Sequence, residues 1–196
     1  MSILITVKNR NGICMASDSR STTVLNGTNL FRDDAKKVFK TDMFLLGVTG
    51  CADVIHGNSH ELIQETVGRI ISRDAYLSAD QFQAALYGEL KGKPGTAYHF
   101  VFGYREKDSL SDSDYVLRYV ELMDGYFVRN EKIYHDSILA VGENSLVPPA
   151  VSVNPDWDLQ KLEDVSRRMV ENAIGKGELF LLPNTVGVNI QSEWLA

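Results

Sequence analysis

Three functional groups near the start of the chain could together perform nucleophilic chemistry. They are a hydroxyl, a carboxylate and an ammonium group. Ser2 follows the initiator methionine, so removal of Met1 would leave one residue that carries both a hydroxyl nucleophile and a free α-amine. The α-amine of a peptide has a pKa of about 7.7 to 8.0, which suits a base at neutral pH. These are the minimal groups of a hydrolase that uses its own N-terminus as the nucleophile.

The residues after Ser2 predict a strand hairpin that would hold this terminus in place. Side chains alternate as in a strand from Ile3 to Val7, Asn11-Gly12 favours a type I′ turn, and Ile13 to Ser17 is typical of the returning strand. A terminus that begins inside a sheet is fixed more firmly than the loose termini of most chains. Because the second strand runs back toward the start of the first, we expect Asp18 to lie near Ser2.

An ammonium group and a glycine turn follow the hairpin. Lys37 immediately precedes the short apolar segment Val38-Phe39, and an apolar run from Met43 to Val48 leads into Gly50. The order along the chain is therefore nucleophile, carboxylate, ammonium and glycine turn.

This order resembles the successive motifs of proteasome-type β subunits and their bacterial relatives. The motifs that carry the resemblance are Ser2, Ala16–Thr22, Lys36–Phe39 and Gly47–Asp53, with fainter similarity in Phe100–Tyr104, Asp124-Gly125 and Ile138–Gly142. The separation of Ser2 from Asp18 is the one that the family keeps between its nucleophile and its aspartate. The resemblance covers most of the chain.

The resemblance implies catalytic roles for Ser2, Asp18, Lys37 and Gly50. Lys37 corresponds to the lysine whose ammonium favours the ionised nucleophile, and Asp18 to the aspartate that holds this lysine. Gly50 is similar to the glycine whose backbone N–H contributes to the oxyanion hole.

The same resemblance implies a substrate groove and a structural ion pair. Ser21, Thr22 and Thr49 would line a groove that receives an extended peptide as an added strand. Arg20 would form the ion pair.

The chain departs from the family pattern at the nucleophile and around its amine. Ser2 stands where the family usually has threonine, and serine lacks the β-methyl group that restricts χ1. Glu143 replaces a serine that commonly follows the glycine at the position of Gly142, and alignment of the last strand places Glu178 at an acidic position and Leu181 at a serine. Either Glu143 and Glu178 orient the N-terminal amine, or the site is degenerate.

Hydrophobic periodicity predicts the remaining elements. Two consecutive helices are expected around Leu62–Ile71 and Phe82–Leu90, the second after a capping box at Ser78 and Gln81, and a third from Leu159 to Ile174 that closes at Gly175 and Gly177. Strands are expected at Ala97–Tyr104, Tyr115–Leu122, Tyr126–Val128, Ile138–Val141 and Thr185–Gln191, with a hairpin turn at Asp124-Gly125.

The order of these elements permits two packed sheets covered by helices. The family resemblance selects, among α+β folds, a four-layer αββα sandwich of two packed, mainly antiparallel sheets with helices on both outer faces. The length of 196 residues and the hydrophobic content of 44% suit one domain, residues 1–196.

Composition limits the partners and the location. The net charge of −6 argues against nucleic-acid binding, for which a basic face is expected. We see no apolar run of about 18 residues and no signal peptide, so we expect a cytoplasmic protein without a membrane span. Cys14 and Cys51 are interpreted as reduced packing residues.

The histidines do not favour another mechanism or a metal. His56 and His60 are four residues apart on a possible helix, but no third ligand accompanies them, so a solvated face is the better interpretation and no metal is expected. No serine-hydrolase signature accompanies His99 or His135, which argues against a Ser-His-Asp hydrolase.

The sequence therefore predicts a proteasome-like peptidase without a cofactor. Its substrate would be a peptide or an unfolded protein, and the resemblance implies a closed homo-oligomeric ring, whereas an ATPase regulator remains unknown. Two alternatives stay open: an inactive scaffold of the same fold that retains Met1, and an amidase that acts on a small non-peptide amide.

Overall fold

The computed structural model describes residues 2–25, 28–56, 59–74, 76–106, 114–142, 152–179 and 189–196. Within these ranges the chain is an α+β protein of mostly antiparallel sheets with three helices. In chain order the elements are β1 (Ile3–Asn9), β2 (Gly12–Asp18), β3 (Ser21–Leu25), β4 (Thr28–Arg32), β5 (Val38–Lys40), β6 (Phe44–Gly50), β7 (Asp53–His56), β8 (Ser59–Leu62), α1 (Ile63–Arg73), α2 (Ala79–Leu90), β9 (Ala97–Arg105), β10 (Tyr115–Met123), β11 (Tyr126–Ile133), β12 (Ser137–Gly142), α3 (Leu159–Leu179) and β13 (Ile190–Leu195).

The first hairpin forms the centre of a four-stranded antiparallel sheet with the order β12-β1-β2-β13. Asn9 pairs with Gly12, so the turn consists of Arg10 and Asn11, one residue earlier than expected. Neither turn residue has a positive φ, which a type I′ turn requires at both positions, whereas Gly12 has a φ of 155°. The hairpin prediction is confirmed, and the type I′ assignment is wrong.

The second large sheet has five antiparallel strands in the order β11-β10-β9-β6-β5. The expected turn between β10 and β11 is confirmed. Asp124 and Gly125 have φ values of 54° and 76°, as a type I′ turn demands, and Met123 pairs with Tyr126 across them. Two small hairpins, β3-β4 and β7-β8, complete the strands that the structure describes.

Apolar side chains form three buried clusters. One lies between the five-stranded sheet and helices α1 and α2, and includes the contacting rings of Phe44, Phe82 and Phe102. A second joins β1 and β2 to α3, through residues such as Ile5 and Val170. The third contains side chains of both sheets. Burial of these apolar surfaces is the main force that holds the sheets and helices together.

The sequence predicts the start of α2 correctly but places the end of α3 too early. Ser78 and Gln81 form the expected capping box at the start of α2. In contrast, α3 continues through Gly175 and Gly177 to Leu179, beyond its expected end. Its buried face against β1 and β2 supplies stability that the weak helix propensity of two glycines does not remove.

Two other expectations have different outcomes. His56 and His60 lie in β7 and β8, not on one helix, so the helical assignment is wrong. The last strand begins at Ile190, and residues 180–188, which include most of its expected range, lie outside the described residues.

None of the helices in the described ranges is long and apolar enough to cross a membrane.

Candidate active site

Ser2 is buried and directly precedes β1. The next residue, Ile3, pairs with Gly142 of β12, and its backbone N–H donates a hydrogen bond of 2.9 Å to Asp18 Oδ1. The hydroxyl of Ser2 is hydrogen-bonded to the hydroxyl of Thr49, which lies near the end of β6. The nucleophile predicted from the sequence is therefore positioned by both large sheets.

Asp18 ends β2 and is fully buried. Its Oδ1 accepts hydrogen bonds from Ile3 N and from Lys37 Nζ, both at 2.9 Å, and its Oδ2 accepts one of 3.0 Å from the backbone N–H of Arg20. A buried carboxylate needs such donors because it has lost its hydration. Asp18 thus lies beside the start of β1, as the hairpin register predicts, and it also bonds the ammonium group of Lys37.

Lys37 precedes β5 and points into the protein. Its backbone is held on both sides: the N–H donates to Gln191 Oε1 at 3.0 Å, and the carbonyl accepts from Val48 N at 2.8 Å. Burial lowers the pKa of Lys37, and the charge and hydrogen bond of Asp18 oppose this effect. The ammonium is therefore paired, yet it releases its proton more easily than an exposed lysine does.

Arg20 forms the ion pair expected of it, and its partner is Asp33. The guanidinium donates in a bidentate manner, from Nε to Oδ1 at 2.6 Å and from Nη2 to Oδ2 at 2.7 Å. The guanidinium lowers the pKa of the Asp33 carboxyl. This pair braces the segment between β4 and Lys37.

Gly50 ends β6 in a conformation that favours glycine, with a φ of 108°. A Cβ atom at this position would lie 2.3 Å from the carbonyl oxygen of Ala97. That carbonyl accepts a 2.8 Å hydrogen bond from Cys51 N, which keeps the turn against β9. The sequence therefore needs a glycine next to Thr49 for steric reasons that are independent of any role in catalysis.

Two adjoining cavities share the wall around the nucleophile. Ser2, Thr22, Thr49, Gly50 and Cys51 line both. The first cavity is also lined by Arg20, Ser21, Ala35, Lys36, Lys37, Val48, Ala52, Leu62, Ile63 and Gln64. The second cavity is also lined by Ala97, His99 and Gly142. All three residues predicted to line a groove, Ser21, Thr22 and Thr49, therefore border the first cavity, and the buried Thr22 hydroxyl has no hydrogen-bond partner among the described residues.

Sequence reasoning assigned no functional role to three residues of this region. Gln191 of β13 bonds the backbone on either side of Lys36, because its Nε2 also donates to the Ala35 carbonyl at 2.6 Å. His99 and Cys51 line a cavity with Ser2. Only the strand register, with His99 opposite Thr49, brings the histidine there.

The two glutamates predicted to orient the amine cannot be related to Ser2. Glu143 and Leu181 lie outside the described residues, and Glu178 lies near the end of α3 in a part whose side chains are not described. Their role stays a prediction. No group of three or more potential metal ligands occurs in the described part of the chain.

Comparison with known proteins relates the chain to others by its fold. No protein-family model and no curated protein matches the sequence. Among solved structures, the chain is similar to a mutant of Anbu, described as Gly-1, from Hyphomicrobium sp. strain MC1, with a TM-score of 0.59 and 14% sequence identity. The match covers 100% of this chain and 82% of the Anbu chain. The similarity supports a distant proteasome-like fold.

Proposed function

We propose that the chain is a proteasome-like N-terminal nucleophile hydrolase that cleaves peptide bonds through Ser2 after removal of Met1. One observation carries the proposal: the buried Asp18 carboxylate joins the strand that begins at Ser2 to the ammonium of Lys37, through two 2.9 Å hydrogen bonds. A surface ion pair would not need this enclosure. The fold similarity to Anbu supports the same assignment.

In the proposed reaction, Ser2 Oγ attacks the scissile carbonyl and forms a tetrahedral intermediate. The α-amine of Ser2 accepts the hydroxyl proton through a water molecule and delivers it to the leaving nitrogen. The Gly50 N–H stabilises the oxyanion. Collapse of the intermediate gives an acyl-enzyme ester at Ser2, which water then hydrolyses.

Lys37 would act through its charge rather than as the first base. An ammonium in a site of low polarity favours the alkoxide form of a nearby hydroxyl, and Asp18 keeps that ammonium in place. The hydrogen bonds of the Lys37 backbone to the Gln191 side chain and to the Val48 N–H support this role, because they hold the segment that carries the ammonium.

The substrate we propose is a peptide or an unfolded protein segment. Ser21, Thr22 and Thr49 would hold its backbone, since all three residues line the first cavity. One substrate side chain would enter the first cavity, whose wall combines apolar groups such as Val48 and Ile63 with the polar end of Gln64.

We extend the proposal to the layer architecture of the fold and to the assembly of the protein. Three apolar clusters, one between the sheets and one beneath the helices on each outer side, support a four-layer αββα sandwich in a single domain, residues 1–196. We further propose a cytoplasmic homo-oligomeric ring, with no cofactor.

A non-catalytic scaffold that retains Met1 is the second candidate. The replacement of the expected serine by Glu143 favours it, since the α-amine would then lack its usual neighbour.

Intact mass measured before and after treatment with a β-lactone probe separates the two candidates. The proposed enzyme is expected to lack Met1 and to gain one probe adduct. Ser2→Ala should abolish the adduct, whereas Ser2→Thr, which keeps the hydroxyl, should retain it. Full-length mass with Met1 attached and no adduct would establish the scaffold instead.

A further inference from the structure

His99 lies close to the nucleophile but takes no part in the reaction described above. It is directly opposite Thr49 in the pairing of β6 with β9, and Thr49 is hydrogen-bonded to Ser2 Oγ. Side chains directly opposite each other on antiparallel strands have Cβ atoms about 4.5 to 5.5 Å apart. His99 and Ser2 also line the same second cavity, so both side chains border the space that a water molecule or a substrate would enter.

A fixed hydrogen-bond network orients the imidazole ring. His99 Nδ1 is 2.8 Å from the Tyr119 hydroxyl, and the two rings are parallel, with an interplanar angle of 3°. The Tyr119 hydroxyl in turn lies 3.5 Å from Glu121 Oε2. Glu121 is directly opposite His99 in the pairing of β9 with β10, so all three side chains lie on one face of the sheet.

The network selects one tautomer of His99. An ionised Glu121 can only accept a hydrogen bond, so the Tyr119 hydroxyl donates to it. The Tyr119 oxygen then accepts from Nδ1–H of His99, and we assign the lone pair of the neutral ring to Nε2. Since Nδ1 is occupied by Tyr119, Nε2 is the nitrogen left for a group in the cavity.

Burial keeps the His99 ring neutral near pH 7. Burial lowers the pKa of His99, and the negative charge of Glu121 opposes this effect. Arg129 of β11 stacks on the Tyr119 ring at 5.4 Å and pairs with Glu131 at 2.9 Å, and Cys51 borders the cavity from the end of β6. Desolvation raises the pKa of Tyr119 to about 12, so its hydroxyl remains a hydrogen-bond donor.

The two cavities meet at Ser2, so they would hold the parts of the substrate on either side of the scissile bond. If the acyl side chain occupies the first cavity, which reaches Lys37, the leaving fragment occupies the second, which reaches His99. Departure of this fragment opens the second cavity to water beside the acyl-enzyme ester. A hydrogen-bond acceptor is then already in place for that water.

We propose that His99 is the general base for hydrolysis of the acyl-enzyme, a role that rests on the proposed function of Ser2. The water oxygen forms a bond to the ester carbonyl carbon while one of its protons moves to His99 Nε2. The tetrahedral intermediate then breaks its bond to Ser2 Oγ, which takes the proton back from Nε2. The carboxylic acid product leaves, and both residues return to their starting forms.

Rapid-mixing kinetics on a fluorogenic peptide amide test this role, because amine release reports acylation and intact mass reports the acyl-enzyme. In His99→Gln we expect acylation within about 3-fold of wild type and deacylation slower by about 100-fold, so that the acyl-enzyme accumulates. His135→Gln, which makes the same change at an exposed histidine between β11 and β12, should leave both rates unchanged.

A pH profile of the deacylation rate adds a measurement that a purely structural role would not affect. Glu121→Gln removes the charge that raises the pKa of His99, so the acidic limb should move to lower pH. Glu131→Gln, the same change on the adjacent strand, should leave that limb in place.

The outcomes separate the two proposals. An equal fall of acylation and deacylation in His99→Gln, no change in either rate, or an unmoved acidic limb in Glu121→Gln would overturn the role of His99 while Ser2 remains the nucleophile. Absence of any acyl-enzyme in the wild type, with no amine released, would overturn the proposed function and the role of His99 with it.

Discussion

At the scale of single residues, Asp18 has the largest influence on the candidate site. It is fully buried and accepts hydrogen bonds from the backbone N–H groups of Ile3 and Arg20 and from the ammonium of Lys37. Its charge balances the ammonium group of Lys37, its Oδ1 fixes the start of β1 through Ile3 N, and its Oδ2 bonds the backbone of Arg20. Stability and proposed activity therefore depend on the same carboxylate.

Asp18→Asn keeps the shape of the side chain but leaves Lys37 without its balancing charge. We expect the free energy of unfolding, measured by urea denaturation, to fall by about 3 to 5 kcal/mol, as it does when one partner of a buried pair is lost. Asp33→Asn, at the partly exposed partner of Arg20, should cost at most about 1 kcal/mol. Equal losses of unfolding free energy in the two variants would show that burial of the Asp18–Lys37 pair does not matter.

Gly50→Ala introduces a side chain where the backbone has a φ of 108° and the Ala97 carbonyl lies 2.3 Å from the new Cβ. We expect a loss of about 1 to 3 kcal/mol in stability, together with loss of peptide hydrolysis, because the turn that carries Thr49 must move. Thermal unfolding and turnover of a fluorogenic peptide measure the two effects. Gly88→Ala in α2, where nothing lies within 4 Å, is the matched control and should lose neither.

At the scale of elements, the sequence predicts best where local chemistry is sufficient. Ser78 and Gln81 cap α2, and Asp124-Gly125 forms its turn, because these residues satisfy the backbone without help from distant parts of the chain. The arrangement of Asp18 beside the start of β1 also follows from a local hairpin. Such features depend on residues that are close in sequence.

The remaining features depend on contacts between distant segments, which periodicity does not reveal. α3 passes two glycines because its apolar face is buried against β1 and β2. His99 reaches the site only through its register with Thr49, and Gln191 holds the backbone around Lys37 from a strand more than 150 residues away. Tertiary packing decides all three, and no single segment of sequence contains the information.

The glycines of α3 lead to a prediction at the element scale. Nothing lies within 4 Å of the position where a Cβ would be added to Gly175. Gly175→Ala should therefore raise the free energy of unfolding by about 0.5 to 1 kcal/mol, because alanine loses less backbone entropy in a helix. Urea denaturation measures the change. An unchanged or lower stability would mean that α3 ends before this residue in solution.

At the scale of the whole molecule, the candidate site is shared between the two large sheets. Ser2 and Asp18 belong to the four-stranded sheet, whereas Thr49, Gly50 and the segment that begins with Lys37 belong to the five-stranded one. The spacing of the sheets therefore sets the distances within the site. Glycine determines this spacing at one point, since a Cβ on Gly47 would lie 2.4 Å from a methyl group of Leu4.

Gly47→Ala tests the importance of sheet spacing. The added methyl group must displace Leu4 or move the sheets apart, which should cost about 1 to 3 kcal/mol of stability. Because Leu4 is two residues from the nucleophile, we expect a larger proportional loss of acylation by a β-lactone probe than of folded protein. Gly68→Ala, in an open position of α1, is the control. Full acylation in a destabilised Gly47→Ala protein would show that the spacing of the sheets does not control the reactivity of Ser2.

The shared site also has a consequence for the time at which reactivity appears during synthesis. The hydroxyl and the carboxylate are made first, but Gln191, which fixes the backbone of Lys37, lies in β13, the last strand of the described chain. A growing polypeptide on the ribosome therefore has the nucleophile long before it has the complete arrangement around it. The proposed hydrolase is expected to remain inert toward neighbouring nascent chains until β13 has docked.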